Sequence, residues 1–233
     1  MLRRKSSVQP KIIAVIPAYN EEGFIGKVVS GARRYVDEVI VVDDGSTDDT
    51  AGVARVAGAR VIKHKTNQGA GKATKTAFAA AKRSRADIVV SLDGDAQHNP
   101  DEIPRLLAPI LNNKADLVIG SRFLQPRLQQ MPGYRKFGID VITFLYNLGS
   151  RVRVSDSQCC FRAHTRRLIE ALNITEAGFG FSVQVLIQAR KKGFTITEVP
   201  ISTIYHARGS TTNPVTHGLG VAFDVIKHRL FSR

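Results

Sequence analysis

The chain has 233 residues, 43% of them hydrophobic, which suits one large domain with a buried core. It carries 34 Lys and Arg against 20 Asp and Glu, a net charge of +14 that points to an anionic partner: a nucleotide, a phosphorylated substrate, a nucleic acid or an acidic membrane. No apolar run reaches the length of a bilayer-spanning helix, and the basic start Met1-Leu2-Arg3-Arg4-Lys5 lacks the apolar stretch of a signal peptide. Residues 1–10 therefore read as a flexible basic end and 11–233 as a single domain. The two cysteines, Cys159 and Cys160, are neighbours. Adjacent residues rarely meet disulfide geometry, so both are expected as thiols of a cytoplasmic protein.

In chain order, Lys11–Pro17 reads as a first strand stopped by proline. Asn20 is the expected N-cap of a helix with Glu21 and Glu22 in its first turn and Phe24, Val28 and Ala32 on its apolar face. Glu38–Asp43 is a second strand ending in the acids Asp43 and Asp44, followed by a helix start at Thr47–Thr50 and a short strand at Arg60–Lys63. The loop Asn67–Lys72 has neither P-loop nor GxGxxG spacing, so its glycines are read as turn-makers before an alanine-rich helix reaching about Arg83. Ile88–Leu92 is an apolar strand, and Asp93-Gly94-Asp95 stands where it ends. Residues two apart on an extended chain point to one side. A carboxylate pair at the carboxyl end of a central strand suits a divalent ion shared with a phosphorylated ligand. Asn99-Pro100-Asp101-Glu102 is a helix start, and Ala115–Gly120 a fifth strand running into Ser121-Arg122-Phe123. Alternation of strand and helix about every 25 residues implies a parallel, doubly wound sheet.

The second half is less regular. Gln125–Tyr134 reads as a loop, Phe137–Leu148 as a helix, Ser155–Arg162 as a return to the sheet, Phe181–Lys192 as a helix and Thr195–Pro200 as a strand. A final amphipathic helix is expected from about Val215, with Leu219, Phe223, Ile226 and Leu230 on one face. The segment Ser121–Glu170 holds nine basic residues against three acids, a net +6, around the apolar helix. That combination suggests peripheral contact with an anionic membrane; burial of Phe137–Leu148 in the core is the competing reading.

Three stretches taken together resemble family 2 glycosyltransferases of the GT-A fold. They are Pro17-Ala18-Tyr19-Asn20-Glu21-Glu22, Val41-Val42-Asp43-Asp44-Gly45-Ser46-Thr47-Asp48, and Asp93-Gly94-Asp95 with Gln97-His98, continued by Gly120-Ser121-Arg122-Phe123. The match is closest in style to dolichyl-phosphate mannose or glucose synthases and covers roughly residues 10–213. The resemblance implies an α/β GT-A fold with a mostly parallel sheet flanked by helices. It implies that Asp43 and Asp44 hold the base and ribose of a nucleotide sugar, with Pro17, Tyr19 and Glu21 lining the same pocket. Asp93, Asp95 and Gln97 would bind Mg²⁺ or Mn²⁺, Arg122 would sit near the donor and acceptor phosphates, and Arg208 on the loop over the donor. Three positions depart from the pattern: Gln184 stands for a frequent glutamate, Cys160 for glycine in Asp156-Ser157-Gln158-Cys159-Cys160-Phe161-Arg162, and Thr211 for lysine.

The implied reaction is inverting transfer of a hexose from GDP-mannose or UDP-glucose to a polyprenyl (dolichyl) phosphate. An alcohol acceptor needs a general base, whereas a phosphate is already an anion. Asp156 is the candidate to assist or orient the acceptor. A hydroxyl acceptor and a sugar-phosphate nucleotidyltransferase are the alternatives. Nucleic acid is not an expected partner, since the charge is not joined to aromatics in an RNA-binding signature. The expected place is the cytoplasmic face of a membrane, with room for a separate membrane-anchoring subunit.

Overall fold

A computed structural model describes residues 9–124, 131, 133–150, 152–178 and 180–204. The expected loop Gln125–Tyr134 for the most part, the basic first eight residues, Arg208, Thr211 and the helix from Val215 lie outside the described residues.

The apolar runs become strands buried on both faces. β1 (Ile12–Ala18), β2 (Glu38–Asp43), β4 (Ile88–Ser91) and β5 (Leu117–Ser121) are buried through almost their whole length. Helices on either side cover them, as parallel sheets require. β3 (Arg60–Lys63) is short, with exposed basic residues at both ends, as suits an edge strand. β6 (Arg162–Thr165) and β7 (Ile196–Pro200) complete a seven-stranded sheet of order β3-β2-β1-β4-β6-β5-β7. β6 runs antiparallel between β4 and β5, while all other pairs are parallel. The five strands of the first 120 residues run in one direction, as expected, and the single antiparallel strand comes from the second half. The chain leaves β5, makes the helix α5 (Gly133–Asn147), and returns between β4 and β5 in the opposite direction. The expected return to the sheet over Ser155–Arg162 begins only at Arg162.

Packed on the sheet are α1 (Ile25–Ala32), α2 (Thr50–Val56), α3 (Ala70–Arg83), α4 (Ile103–Leu111), α6 (Arg166–Ala171) and α7 (Phe181–Lys191). Asn99 caps as expected: its side chain accepts from Asp101 N, and a 3₁₀ turn Pro100–Glu102 leads into α4. Asn20 does not cap. It takes φ 56°, a left-handed turn that asparagine tolerates, and α1 begins five residues later. The reason lies in the neighbouring loop. Asn20 N donates to Ser46 Oγ, Glu21 N to Thr50 Oγ1, and Thr47 N to Asn20 Oδ1, so residues 20–22 are laced to 46–50. Tertiary partners claim the backbone amides that a helix turn would otherwise leave open.

Candidate active site

Three strand ends and their loops supply the acids. Asp43 ends β2 and is fully buried; its Oδ1 accepts from Ser46 N at 2.8 Å. Its Oδ2 accepts no hydrogen bond and has Lys63 Nζ at 3.4 Å. A buried carboxylate oxygen with no hydrogen bond is a costly feature, offset here by the charge of Lys63. Asp44, the next residue, is buried as well. Its oxygens accept from Gln68 N, Gly69 N and His64 Nδ1, so it braces the Asn67–Gly69 loop rather than facing outward. That loop's other amides are also in use. Gly71 N donates to Ala177 O at 2.7 Å, and a Cβ at Gly71 would come within 2.0 Å of Glu176 O. The glycines serve close packing, as their lack of phosphate-loop spacing suggested.

Asp93 and Asp95 follow β4. Asp93 keeps 37% of its side-chain surface open, yet burial of the rest pushes its carboxyl up to about 6, against the pull of Arg122 and Arg162. Asp95 Oδ1 accepts from Gln97 N at 3.0 Å, closing a turn in which Ala96 takes φ 57°. A left-handed alanine is uncommon, and such strain gathers at functional sites. Glu21 reaches over from the loop after β1. A Cβ placed on Gly94 would lie 3.6 Å from Glu21 Cγ, which shows how closely the two loops meet. Burial, then the negative charges of Asp95, Asp93 and Asp48, push Glu21 up to about 7. Tyr19 is exposed at the same rim, and Pro17 lines a small void beneath Asp93. No cluster of three His, Cys, Asp or Glu side chains able to hold a metal occurs among the described residues. The donor set nonetheless fits a hard divalent ion. Glu21 and Asp93 are acids crowded into a partly buried site, and Mg²⁺ or Mn²⁺ needs only one or two carboxylates when diphosphate oxygens complete its shell.

His98 is buried, stacked on Phe161 with ring centroids 5.2 Å apart. Burial lowers it to about 4, so it is neutral at physiological pH. Thr203 pairs with His98, and Ile204 N donates to Gln97 O, which brings the chain after β7 alongside this motif.

Across the sheet, Arg122 leaves β5 and meets Asp156 in a two-pronged pair: Nε to Oδ2 at 2.6 Å and Nη2 to Oδ1 at 2.8 Å. Asp156 is wholly buried and also accepts from the amides of Arg122, Gln158 and Cys159. Arg122 and these donors hold its carboxyl below the usual range, outweighing burial. A carboxylate so occupied positions Arg122 and has little capacity to act as a base. The Arg122 side chain stays 14% exposed. Sequence reasoning missed Glu198 on β7, whose carboxylate accepts from Ser155 N, Ser155 Oγ and Asp156 N. Gln184 is buried in α7, and its Oε1 accepts from Thr175 N and Glu176 N. Cys159 and Cys160 are both free thiols, and burial pushes Cys159 up to about 12.

Set beside known proteins, the chain matches the family model described as Glycosyl transferase family 2 over residues 13–171. It is 34% identical over 215 residues to the UDP-N-acetylglucosamine–dolichyl-phosphate N-acetylglucosaminyltransferase of Methanococcus voltae, covering 83% of this chain and 86% of that one. It is 32% identical over 219 residues to the dolichyl-phosphate hexose transferase of Haloferax volcanii, covering 93% and 92%. Among solved structures, glucosyl-3-phosphoglycerate synthase from Mycobacterium tuberculosis with Mn²⁺, UDP and glucosyl-3-phosphoglycerate shares the fold with a TM-score of 0.73 at 26% identity, over 95% of this chain and 79% of that one. The same enzyme with Mg²⁺ and UDP gives a TM-score of 0.71, also at 26% identity, over 95% and 78%.

Proposed function

The chain belongs to glycosyl transferase family 2, and from that premise we propose that it moves a hexose, with inversion, from a nucleoside-diphosphate sugar to a polyprenyl monophosphate. The observation that carries the acceptor half is the Arg122–Asp156 fork: a guanidinium held rigid at the end of β5 while still reaching solvent. Arginine binds phosphate through paired N–H donors, and a fixed arginine orients an anionic nucleophile. The names of the Methanococcus voltae and Haloferax volcanii relatives support the same acceptor class.

On the donor side, Asp43 would offer its buried oxygen to a base N–H, and Pro17, Tyr19 and Glu21 would line the same pocket. Asp93 and Asp95, with Gln97 beside them, would hold Mg²⁺ or Mn²⁺. When bound, such an ion supplies charge stabilisation for the departing nucleoside diphosphate. Glu21 lies close enough to the same acids that their charges help push its carboxyl up to about 7, and a bound cation would favour its ionised form. His98, buried and neutral, holds the Gln97 side of the turn in place through its stack on Phe161. A phosphate acceptor removes the need for a base, which agrees with Asp156 being committed to Arg122.

The outer face of α5 fits a lipid acceptor. Tyr134, Phe137, Val141, Phe144 and Leu148 lie exposed along one stripe, while Ile139, Ile142 and Tyr146 are buried on the other. The core and the surface therefore each take one side of this helix. The charge contribution is smaller than the segment's +6 suggests. Arg162 is buried, and Arg166 and Arg167 pair with Asp87 and Asp116 outside the segment. Apolar insertion therefore contributes more than charge to the contact we propose with the cytoplasmic leaflet. Among the described residues no helix is long and apolar enough to cross a membrane.

A second reading, transfer to a soluble phosphorylated acceptor, is favoured by the likeness to the synthase solved with phosphoglyceric acid, with a TM-score of 0.75 at 25% identity. The donor half is tested by incubating UDP- and GDP-sugars with Mn²⁺ and a polyprenyl phosphate and following product. Release of nucleoside diphosphate supports transfer; release of pyrophosphate from a nucleoside triphosphate and sugar phosphate would instead make the chain a nucleotidyltransferase.

A further inference from the structure

We propose that Glu198 is a positioning residue for the acceptor site, acting through Asp156 on Arg122; this rests on the acceptor reading above. Glu198 lies on β7 beside Ile119 of β5, three residues before Arg122. Its two oxygens gather three donors from the loop that precedes β6: Oε2 accepts from Ser155 N at 2.7 Å, and Oε1 from Ser155 Oγ at 3.1 Å and Asp156 N at 3.0 Å. Those bonds fix the backbone of Asp156 on one side. On the other, the Asp156 carboxylate grips Arg122 with two bonds from the guanidinium and a third, at 3.3 Å, from its backbone N–H.

A second tie runs in parallel. Ser121 Oγ and Ser155 Oγ are 2.6 Å apart, and Phe123 N donates to Ser121 Oγ at 3.2 Å. The turn Ser121-Arg122-Phe123 is thus zipped to Ser155-Asp156 at two points, and Glu198 anchors the far side of the zipper to the sheet. Strand β7 is the anchor because it pairs with β5 in register up to Ser121 and Pro200. The arrangement transmits the position of the sheet edge to a guanidinium without Glu198 touching it. Two carboxylate oxygens are needed. An amide at this position has one acceptor oxygen, so Glu198→Gln forces Ser155 N or Asp156 N against an N–H₂ group. The loop then shifts and carries the fork with it, and displacements of this kind are expensive in a site that must orient two reactants.

The test reads Arg122 directly and the acceptor separately. In the wild-type protein, the Arg122 Nε–H resonance in ¹⁵N NMR is expected to be protected from solvent exchange, because that proton lies in the 2.6 Å bond to Asp156. Glu198→Gln should broaden or lose this signal while backbone resonances of β1 and β4 stay in place. The same variant should raise KM for polyprenyl phosphate about tenfold and leave the dissociation constant for UDP with Mn²⁺ unchanged. Combining it with Asp156→Asn should add little to the effect of Asp156→Asn alone. Ser155→Ala, which keeps the backbone and removes only the hydroxyl ties, should shift acceptor KM the same way by a smaller factor; it serves if Glu198→Gln does not fold. A protected Arg122 Nε–H in a folded Glu198→Gln protein, or equal losses for donor and acceptor, would overturn the proposal. If no polyprenyl phosphate is a substrate, the NMR signal still decides whether Glu198 sets Arg122, and only the acceptor reading fails.

Discussion

The two flanks of the β4 strand end are built on opposite electrostatic plans. On the β1–β4 side the acids are crowded and under-partnered: Asp43 has an unsatisfied buried oxygen, and Glu21 and Asp93 are pushed up to about 7 and about 6. On the β5–β7 side every carboxylate is engaged. Asp156 grips Arg122, and Glu198 holds the loop that carries Asp156. Under the proposed function, the first arrangement is completed by a cation and a nucleotide. The second is complete before any ligand arrives. The proposed reaction, which gathers a donor with its metal and presents it to a separately held anion, has use for both.

The strongest way to break this contrast is to remove a charge from the crowded side. Asp95→Asn should lower transfer by about a thousandfold or more, with the folded protein unchanged in circular dichroism and melting, because several kcal/mol of charge stabilisation goes with the ligand. Full activity in excess chelator would contradict the metal's part in it. The satisfied side should respond in stability instead. Asp156→Asn removes the negative charge that Arg122 grips in a largely buried place and should cost about 3 kcal/mol, read as a fall in the urea midpoint.

The sheet order was only partly legible. The parallel core from β1 to β5 follows from apolar runs at regular spacing, and those residues form the strands expected of them. Strand β6 was expected too early, over Ser155–Arg162, and its antiparallel place between β4 and β5 leaves no trace in periodicity: Arg162-Ala163-His164-Thr165 is neither an alternating nor an apolar run. Asn20 misled for a related reason. Its sequence context is that of a cap, and the bonds that override it come from residues 46–50. The acids Asp43, Asp93 and Asp95 were readable because they sit at strand ends. Asp44 shares that position, yet it turns inward to Gln68, Gly69 and His64, which no spacing rule discloses. Glu198 was invisible for the same reason: its partners are more than 40 residues away in sequence.

The contrast also has a pH signature. Glu21 and Asp93 have folded-state values above their ordinary 4.5 and 3.8, so the folded protein holds more protons than the unfolded chain between those values and about 7. Their contribution favours the native state at low pH and is lost as pH rises through about 6 to 7. Thermal melts without metal should therefore show a declining contribution from this site between about pH 4 and pH 7, and Glu21→Gln should flatten it. Adding Mn²⁺ with UDP should reverse the slope. A Glu21→Gln melt curve parallel to the wild type would remove Glu21 from the crowded cluster.

The smallest expected effect lies on the outer face of α5. Phe137→Ser with Phe144→Ser should change stability by no more than about 0.5 kcal/mol, since both side chains are exposed. The pair should nonetheless reduce flotation with vesicles containing anionic lipid. Undiminished flotation would show that another surface meets the membrane.

The identity of the acceptor decides whether the satisfied side has the role proposed for it. The most direct measurement is a side-by-side assay of a polyprenyl phosphate, the matching polyprenol and phosphoglycerate, each with the preferred nucleotide sugar and Mn²⁺. The predicted result is transfer to the polyprenyl phosphate, with the polyprenol inert and phosphoglycerate far slower. Faster transfer to the polyprenol or to phosphoglycerate would contradict it, since a hydroxyl nucleophile would then need a base that the committed carboxylate of Asp156 does not supply.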